Sequence, residues 1–267
     1  MNNYTAPIGI FDSGIGGLTV AKAVTEALPK EDIIYFGDTA RVPYGIKSEK
    51  VVRSYAIEIT NFLLEKGVKM ILIACNTVSA SAKKEILELA GNIPVLDVIS
   101  AGSALAVSFP NHKQVGVIGT LATVNSGAYE KAIHQLDAGI SVFQKACPLL
   151  VPLAEEGWTE NEIAIKTIET YLSDFEDSDI NSLILGCTHY PLFKTVIADF
   201  LHDENIHIID SAESIASSAA KELERLKLSN PTGGDFKCYV SDQPQRFQEL
   251  AERFLGQPIS EIQIVSL

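Results

Sequence analysis

Two cysteines in this chain stand where a thiol can carry proton chemistry. Cys75 closes an apolar run, 71–74, and is followed by Asn76 and Thr77, residue types that favour helix N-caps. Cys187 closes a second such run, 183–186, and is followed by Thr188, His189, Tyr190 and Pro191; the proline suits the first turn of a helix. Each context reads as strand, tight turn, helix, with sulfur at the strand's C-terminal end, where open α/β sheets bind ligands. A helix N-terminus favours the thiolate and is expected to lower its pKa from about 8.5. The amides of Asn76, Thr77, Thr188 and His189 are expected to point into the same cleft as anion donors. Taken singly, either cysteine reads as a buried structural thiol; the matched pair weakens that reading. Two thiols facing one cleft suit a two-base transfer, in which one thiolate takes a proton from carbon and the opposite thiol returns one to the other face. Stereochemistry inverts without redox chemistry. The α-proton of an amino acid is barely acidic, so donors fixed on the substrate carboxylate must stabilise the carbanion as it forms.

Other residues carry weaker signals. A strand at 8–11 runs into Asp12, Ser13, Gly14, Gly16 and Gly17. A dinucleotide fingerprint would need glycine where Thr19 stands, and the charge of Asp12 would repel a pyrophosphate while attracting an ammonium group. A plain strand–helix turn with a capping aspartate explains the motif equally well. Asp38, at the end of the second strand, invites comparison with a ribose-binding acid. His189 either polarises Cys187 or bonds to backbone. A zinc site through Cys75, Cys187, His189 and a carboxylate is disfavoured because no recognised ligand spacing is present. Glu155 and Glu156 read as solvated, and Cys147 and Cys238 as packing residues.

The elements that position these groups alternate. Strands are predicted near 8–11, 33–36, 69–74, 94–98, 114–119, 140–145, 183–186, 206–209, 236–240 and 262–265, with helices between most of them. Ser126 is expected to cap the helix that ends near 135, and Thr159 with Glu162 to form a capping box. Such alternation predicts an α/β fold with parallel sheets covered on both faces. The chain also repeats itself: 8–13 aligns with 115–120, Tyr35 and Phe36 with Val142 and Phe143, and the two cysteine motifs with each other. The reading is two pseudo-symmetric open-sheet α/β domains with the active site in the cleft between them. Residues 1–98 plus 211–267 form the first, carrying Cys75, and 99–210 the second, carrying Cys187.

Composition excludes several function classes. The 267 residues carry a formal net charge of −13 from 21 basic and 34 acidic side chains. The excess is diffuse and no dense Lys/Arg cluster is present, so no nucleic-acid partner is expected. The N-terminal residues lack the pattern of a signal peptide, and no apolar run reaches the length of a membrane span. Four widely spaced cysteines without a CxxC pair read as free thiols of a cytoplasmic protein.

Asp12–Ser13–Gly14 with Gly16–Gly17, Pro43–Tyr44–Gly45, Ala74–Cys75–Asn76–Thr77 and the run from Gly186 through Cys187, Thr188, His189 and Tyr190 to Pro191 resemble the bacterial glutamate racemases of the aspartate/glutamate racemase family. The resemblance covers nearly the whole chain in order. It implies a cofactor-independent racemase, with no metal, that interconverts L- and D-glutamate and supplies the D-isomer for peptidoglycan. It implies Cys75 and Cys187 as the two acid/bases, the first deprotonating the D-isomer and the second the L-isomer, with Asp12 and His189 assisting the thiols and holding substrate. Ser13, Tyr44, Gly45, Asn76, Thr77 and Thr188 would bind substrate, with Thr120 a further candidate and Asp38 and Glu155 in supporting roles. A homodimer is also implied. The alternatives are another amino-acid racemase of the family and a non-catalytic amino-acid-binding protein.

Overall fold

The structure is a computed structural model that describes residues 4–110, 113–175, 178–202, 206–242 and 244–267. The first half alternates regularly: β1 (Ile8–Asp12), α1 (Leu18–Ala27), β2 (Ile33–Gly37), α2 (Glu49–Glu65), β3 (Met70–Ile73), α3 (Asn76–Ala90), β4 (Val95–Asp97) and α4 (Val98–Ser108). The second follows with β5 (Gln114–Gly119), α5 (Leu121–Ser126), α6 (Ala128–Leu136), β6 (Ser141–Ala146), α7 (Leu150–Glu156), α8 (Glu162–Leu172), β7 (Ser182–Gly186), α9 (Lys194–Leu201) and β8 (His207–Asp210). The chain then adds α10 (Ser211–Leu226), β9 (Phe236–Val240), α11 (Pro244–Leu255) and β10 (Ile262–Ile264). Every residue of β1, β2, β3 and β7 is buried, as near-continuous apolar strands of a parallel sheet covered on both faces must be.

Two parallel sheets result. The first has six strands in the order β10-β9-β2-β1-β3-β4, the second four in the order β6-β5-β7-β8. The order β2-β1-β3-β4 recurs as β6-β5-β7-β8, so the internal repeat of the sequence is a repeat of topology. Register makes it residue-specific. Gly9 pairs with Ile34 and Ile71, and Gly116 with Phe143 and Leu183. Counting four residues on from Ile71 and Leu183 makes Cys75 and Cys187 structural equivalents, Asp12 the counterpart of Gly119, and Ser13 that of Thr120. The expected match of Tyr35–Phe36 with Val142–Phe143 is two residues out, since Ile34 is the counterpart of Phe143; apolar strands look alike in any even register. Helices α4 and α10, capped by the equivalent residues Asp97 and Asp210, pack against each other at the seam between the halves.

Three local expectations are corrected. Asn161, not Thr159, caps α8, its side chain accepting from the Ala164 amide at 2.9 Å; the nearer cap takes the orphan amide, and Glu162 is the first helical residue. Gly127, not Ser126, is the N-cap residue of α6; Ser126 accepts from the Ala128 amide (3.1 Å) as the last residue of α5, a short helix that Thr120 caps through the Thr123 amide. After Cys187 the chain makes a 3-10 turn over Tyr190–Phe193 before α9 begins at Lys194, so Cys187 does not sit directly at an α-helix start. Among the described residues no helix is long and apolar enough to cross a membrane.

At the end of the first sheet away from the cysteines, Lys69 and Glu31 form a buried ion pair of 2.5 Å. Lys69 Nζ also donates to the carbonyls of Tyr4 and Leu228, and the Asn230 amide donates to Glu31. Truncating one partner leaves a buried charge unpaired, so Lys69→Met should lower unfolding free energy by about 3–5 kcal/mol. Urea denaturation measures this, while turnover of the folded fraction stays near that of the parent because the pair lies at the opposite strand ends.

Candidate active site

The C-terminal ends of β1, β3, β5 and β7 converge on a cavity of about 390 Å³, within the range of small-molecule sites. Cys75 and Cys187 both line it, with Ser13, Tyr44, Gly45, Asn76, Thr77, Thr120, Thr188, His189 and Glu155. Ile15, Val42, Ile46, Leu121 and Val151 supply apolar wall. No lysine or arginine is among the lining residues, so carboxylates in this cavity would be met by hydroxyls, amides and one imidazole. Asp12 and Asp38 stand behind the lining, both buried. Cys147 and Cys238 are buried in the core and do not line the cavity.

Close approach of the halves builds the cavity floor. A Cβ on Gly16 would fall 2.3 Å from Thr188 Oγ1 and 2.5 Å from the His189 ring, so only glycine lets the first turn lie against the second thiol turn. Thr19 Oγ1 donates to the carbonyls of Gly16 (2.9 Å) and Thr188 (3.0 Å). The hydroxyls of Thr77 and Thr120 lie 3.3 Å apart across the same seam. The Tyr44 hydroxyl donates to Asp38, which also accepts from Arg41 Nε (2.6 Å) and the Ser241 hydroxyl (2.7 Å). Asp38 thereby fixes a cavity residue to the ends of β2 and β9, a role no sequence motif announced.

The two sulfurs occupy different electrostatic settings. Cys75 itself is the N-cap residue of α3, and Asn76 and Thr77, the cap types expected from sequence, are its first helical residues. The expected lowering of its pKa does not occur. Burial, then the nearby Asp12 carboxylate, push the thiol up to about 12, outweighing the Val78 amide and the hydroxyl and amide of Ser13. Asp12 itself is raised by burial, against the opposing pull of His189 and the amides of Gly17, Gly14 and Ser13. Cys187 Sγ lies 3.8 Å from His189 Nδ1, and His189 Nε2 lies 3.2 Å from Glu155 Oε1. Burial alone would pull the imidazole down, but its bonds to Cys187 and Glu155 outweigh that and lift it to about 10. A positive charge therefore stands beside Cys187. Glu155, read from sequence as solvated, is its counter-charge; α7, which carries it, has no motif. Among the described residues no group of three or more His, Cys, Asp or Glu side chains is arranged to hold a metal ion.

Two thiols on equivalent strand ends thus line one cavity. The model of the Asp/Glu/Hydantoin racemase family matches residues 9–219, and the chain belongs to that family. It is 48% identical over 263 residues to glutamate racemase of Syntrophus aciditrophicus, covering 98% of this chain and 97% of that one. Crystal structures align closely. That of glutamate racemase from Francisella tularensis in complex with D-glutamate has a TM-score of 0.93 at 44% identity, covering 98% of both chains. That from Thermus thermophilus in complex with β-chloro-D-alanine has a TM-score of 0.90 at 43% identity, covering 99% of this chain and 98% of the other.

The raised imidazole carries a pH signature. Because its folded pKa of about 10 exceeds the ordinary 6.5, the protonated ring stabilises the fold fully below pH 6.5, and this contribution fades as pH rises through about 10. His189→Gln should flatten the decline in stability across that window relative to the parent, read from urea midpoints taken at several pH values.

Proposed function

We propose that the protein is a cofactor-independent glutamate racemase whose acid/bases are Cys75 and Cys187. The observation that carries this reading is the register equivalence of the two cysteines, which brings two thiols from two halves to the wall of one cavity. Similarity at 48% identity to glutamate racemase supports the substrate. The chain then supplies D-glutamate for cell-wall peptidoglycan from the cytoplasmic pool of the L-isomer.

In the L-to-D direction Cys187, beside the charged His189, takes the α-proton. The electron pair of the broken C–H bond moves into the carboxylate, and the Cys75 thiol gives its proton to the opposite face. The sulfurs end with exchanged protonation, and the D-to-L reaction runs the same steps backwards. Ser13, Tyr44, Gly45, Asn76, Thr77 and Thr188 hold the substrate with neutral donors, several of them backbone amides that cost no reorganisation as charge develops. Asp12 supplies negative charge behind the lining on the side of Cys75, and Thr120 closes the seam against Thr77. We assign residues 1–98 with 211–267 to one domain and 99–210 to the other; membership of β9 and β10 in the first sheet supports that division.

Purified protein with L-glutamate and no added cofactor should lose its circular dichroism signal to zero, while L-aspartate should not. In deuterated water the product should carry deuterium at the α-carbon. Cys75→Ser and Cys187→Ser should each slow racemisation by about a thousandfold or more, consistent with loss of an essential acid/base, and keep the parent's melting profile. Near-normal turnover in either variant would refute the two-thiol scheme.

A further inference from the structure

Tyr129, near the start of α6, belongs to neither thiol turn and touches both. Its hydroxyl donates to Asn76 Oδ1 at 2.7 Å, the residue immediately after Cys75. Its ring edge packs on Gly186, the residue immediately before Cys187: a Cβ there would fall 3.0 Å from Tyr129 Cε2. The side chain is fully buried and spans the seam between the halves. Burial, with the nearby charges of Asp97, Cys187 and Asp210, raises the phenol pKa well above its usual value, so the hydroxyl stays a donor.

Asn76 Oδ1 takes the hydrogen bond from the Tyr129 hydroxyl, which leaves Nδ2 on the other side of the carboxamide. Asn76 is 3% exposed and lines the cavity, yet its Nδ2 has no hydrogen-bond partner. A buried N–H pair left unmatched is costly, and native structures keep such groups for a task. Thr188, the counterpart of Asn76 in the repeat, carries no side-chain carboxamide, so the device belongs to one half alone.

We propose that Tyr129 is a positioning residue for racemisation, locking the Asn76 carboxamide with its NH2 group toward the substrate carboxylate on which the carbanion's charge gathers. This rests on the two-thiol reading above. The hydroxyl does not touch substrate; it acts through Asn76 and holds the geometry between the two sulfur-bearing turns.

The test compares Tyr129→Phe, Asn76→Ala and the double variant in racemisation of glutamate, with Cys75→Ser alongside. Removing a single preorganised donor costs about 100- to 1,000-fold in kcat, so Asn76→Ala should lose about that much. Tyr129→Phe should lose about 10- to 100-fold as the amide becomes free to turn, chiefly in kcat rather than KM because the donor matters most as charge develops. The loss in kcat/KM must be equal for the two enantiomers, whose free energies are identical. On the Asn76→Ala background Tyr129→Phe should cost nothing further, within about twofold. Activity of Tyr129→Phe within about twofold of the parent, or losses that multiply in the double variant as for an independent structural defect, would overturn the proposal. Melting curves establish that each variant folds. Should Tyr129→Phe fail to fold, Asn76→Asp takes its place, since it keeps an acceptor for the hydroxyl but offers no N–H: a loss like that of Asn76→Ala supports the role, and near-parent activity ends it. Turnover surviving in Cys75→Ser sinks the underlying two-thiol reading; an inert Cys75→Ser beside an unaffected Tyr129→Phe sinks only the positioning role.

Discussion

Parallel register governs this molecule. In a parallel sheet the strand ends on one side are all C-terminal ends, so residues leaving neighbouring strands arrive at one level. Gly9 against Ile71, and Gly116 against Leu183, set β3 and β7 at the same height relative to their central strands. One residue of slip in either sheet would turn the side chains of that strand to its opposite face and carry its sulfur out of the common cavity. Close packing on both faces opposes such a slip, and the apolar runs before Cys75 and Cys187 therefore set where the two sulfurs lie.

The halves share a plan without sharing chemistry. Asp12 stands where the repeat has Gly119, Asn76 where it has Thr188, and His189 serves only the second sulfur. Cys75 is held as a thiol by burial and a neighbouring carboxylate, while Cys187 lies beside a cation. The two sulfurs thus face the cavity from non-equivalent walls. The substrate's own groups are not mirror-symmetric about the reacting carbon, so donors on one side must differ from those on the other.

Much of this was legible in the amino-acid order. The strands ending at Cys75 and Cys187 are short, apolar and bounded by small residues and N-cap types, and the glycine turn after Phe11 is unmistakable. In sequence Thr19 is only a negative signal, the missing glycine of a dinucleotide fingerprint; its positive use, bonding to the Thr188 carbonyl 169 residues away, is a tertiary fact. Glu155 looked solvated because α7 is short and its partner is distant in sequence. The raised pKa of Cys75 is hidden from sequence for a similar reason, since the helix-start amides are local while the desolvation that overrides them belongs to the whole core. α5 escaped notice because a six-residue helix offers too little periodicity, although Thr120 supplies its cap.

Segments made last brace the site made first. Phe254 on α11 sets its ring edge-on to His189 at 5.3 Å between centroids, and Arg253 Nη1 donates to the Glu155 carbonyl at 2.6 Å. β9 completes the sheet beside β2, where Ser241 reaches Asp38. The side chains that hold His189, Glu155 and Asp38 in place therefore lie later in the sequence than both sulfurs and every residue that lines the cleft.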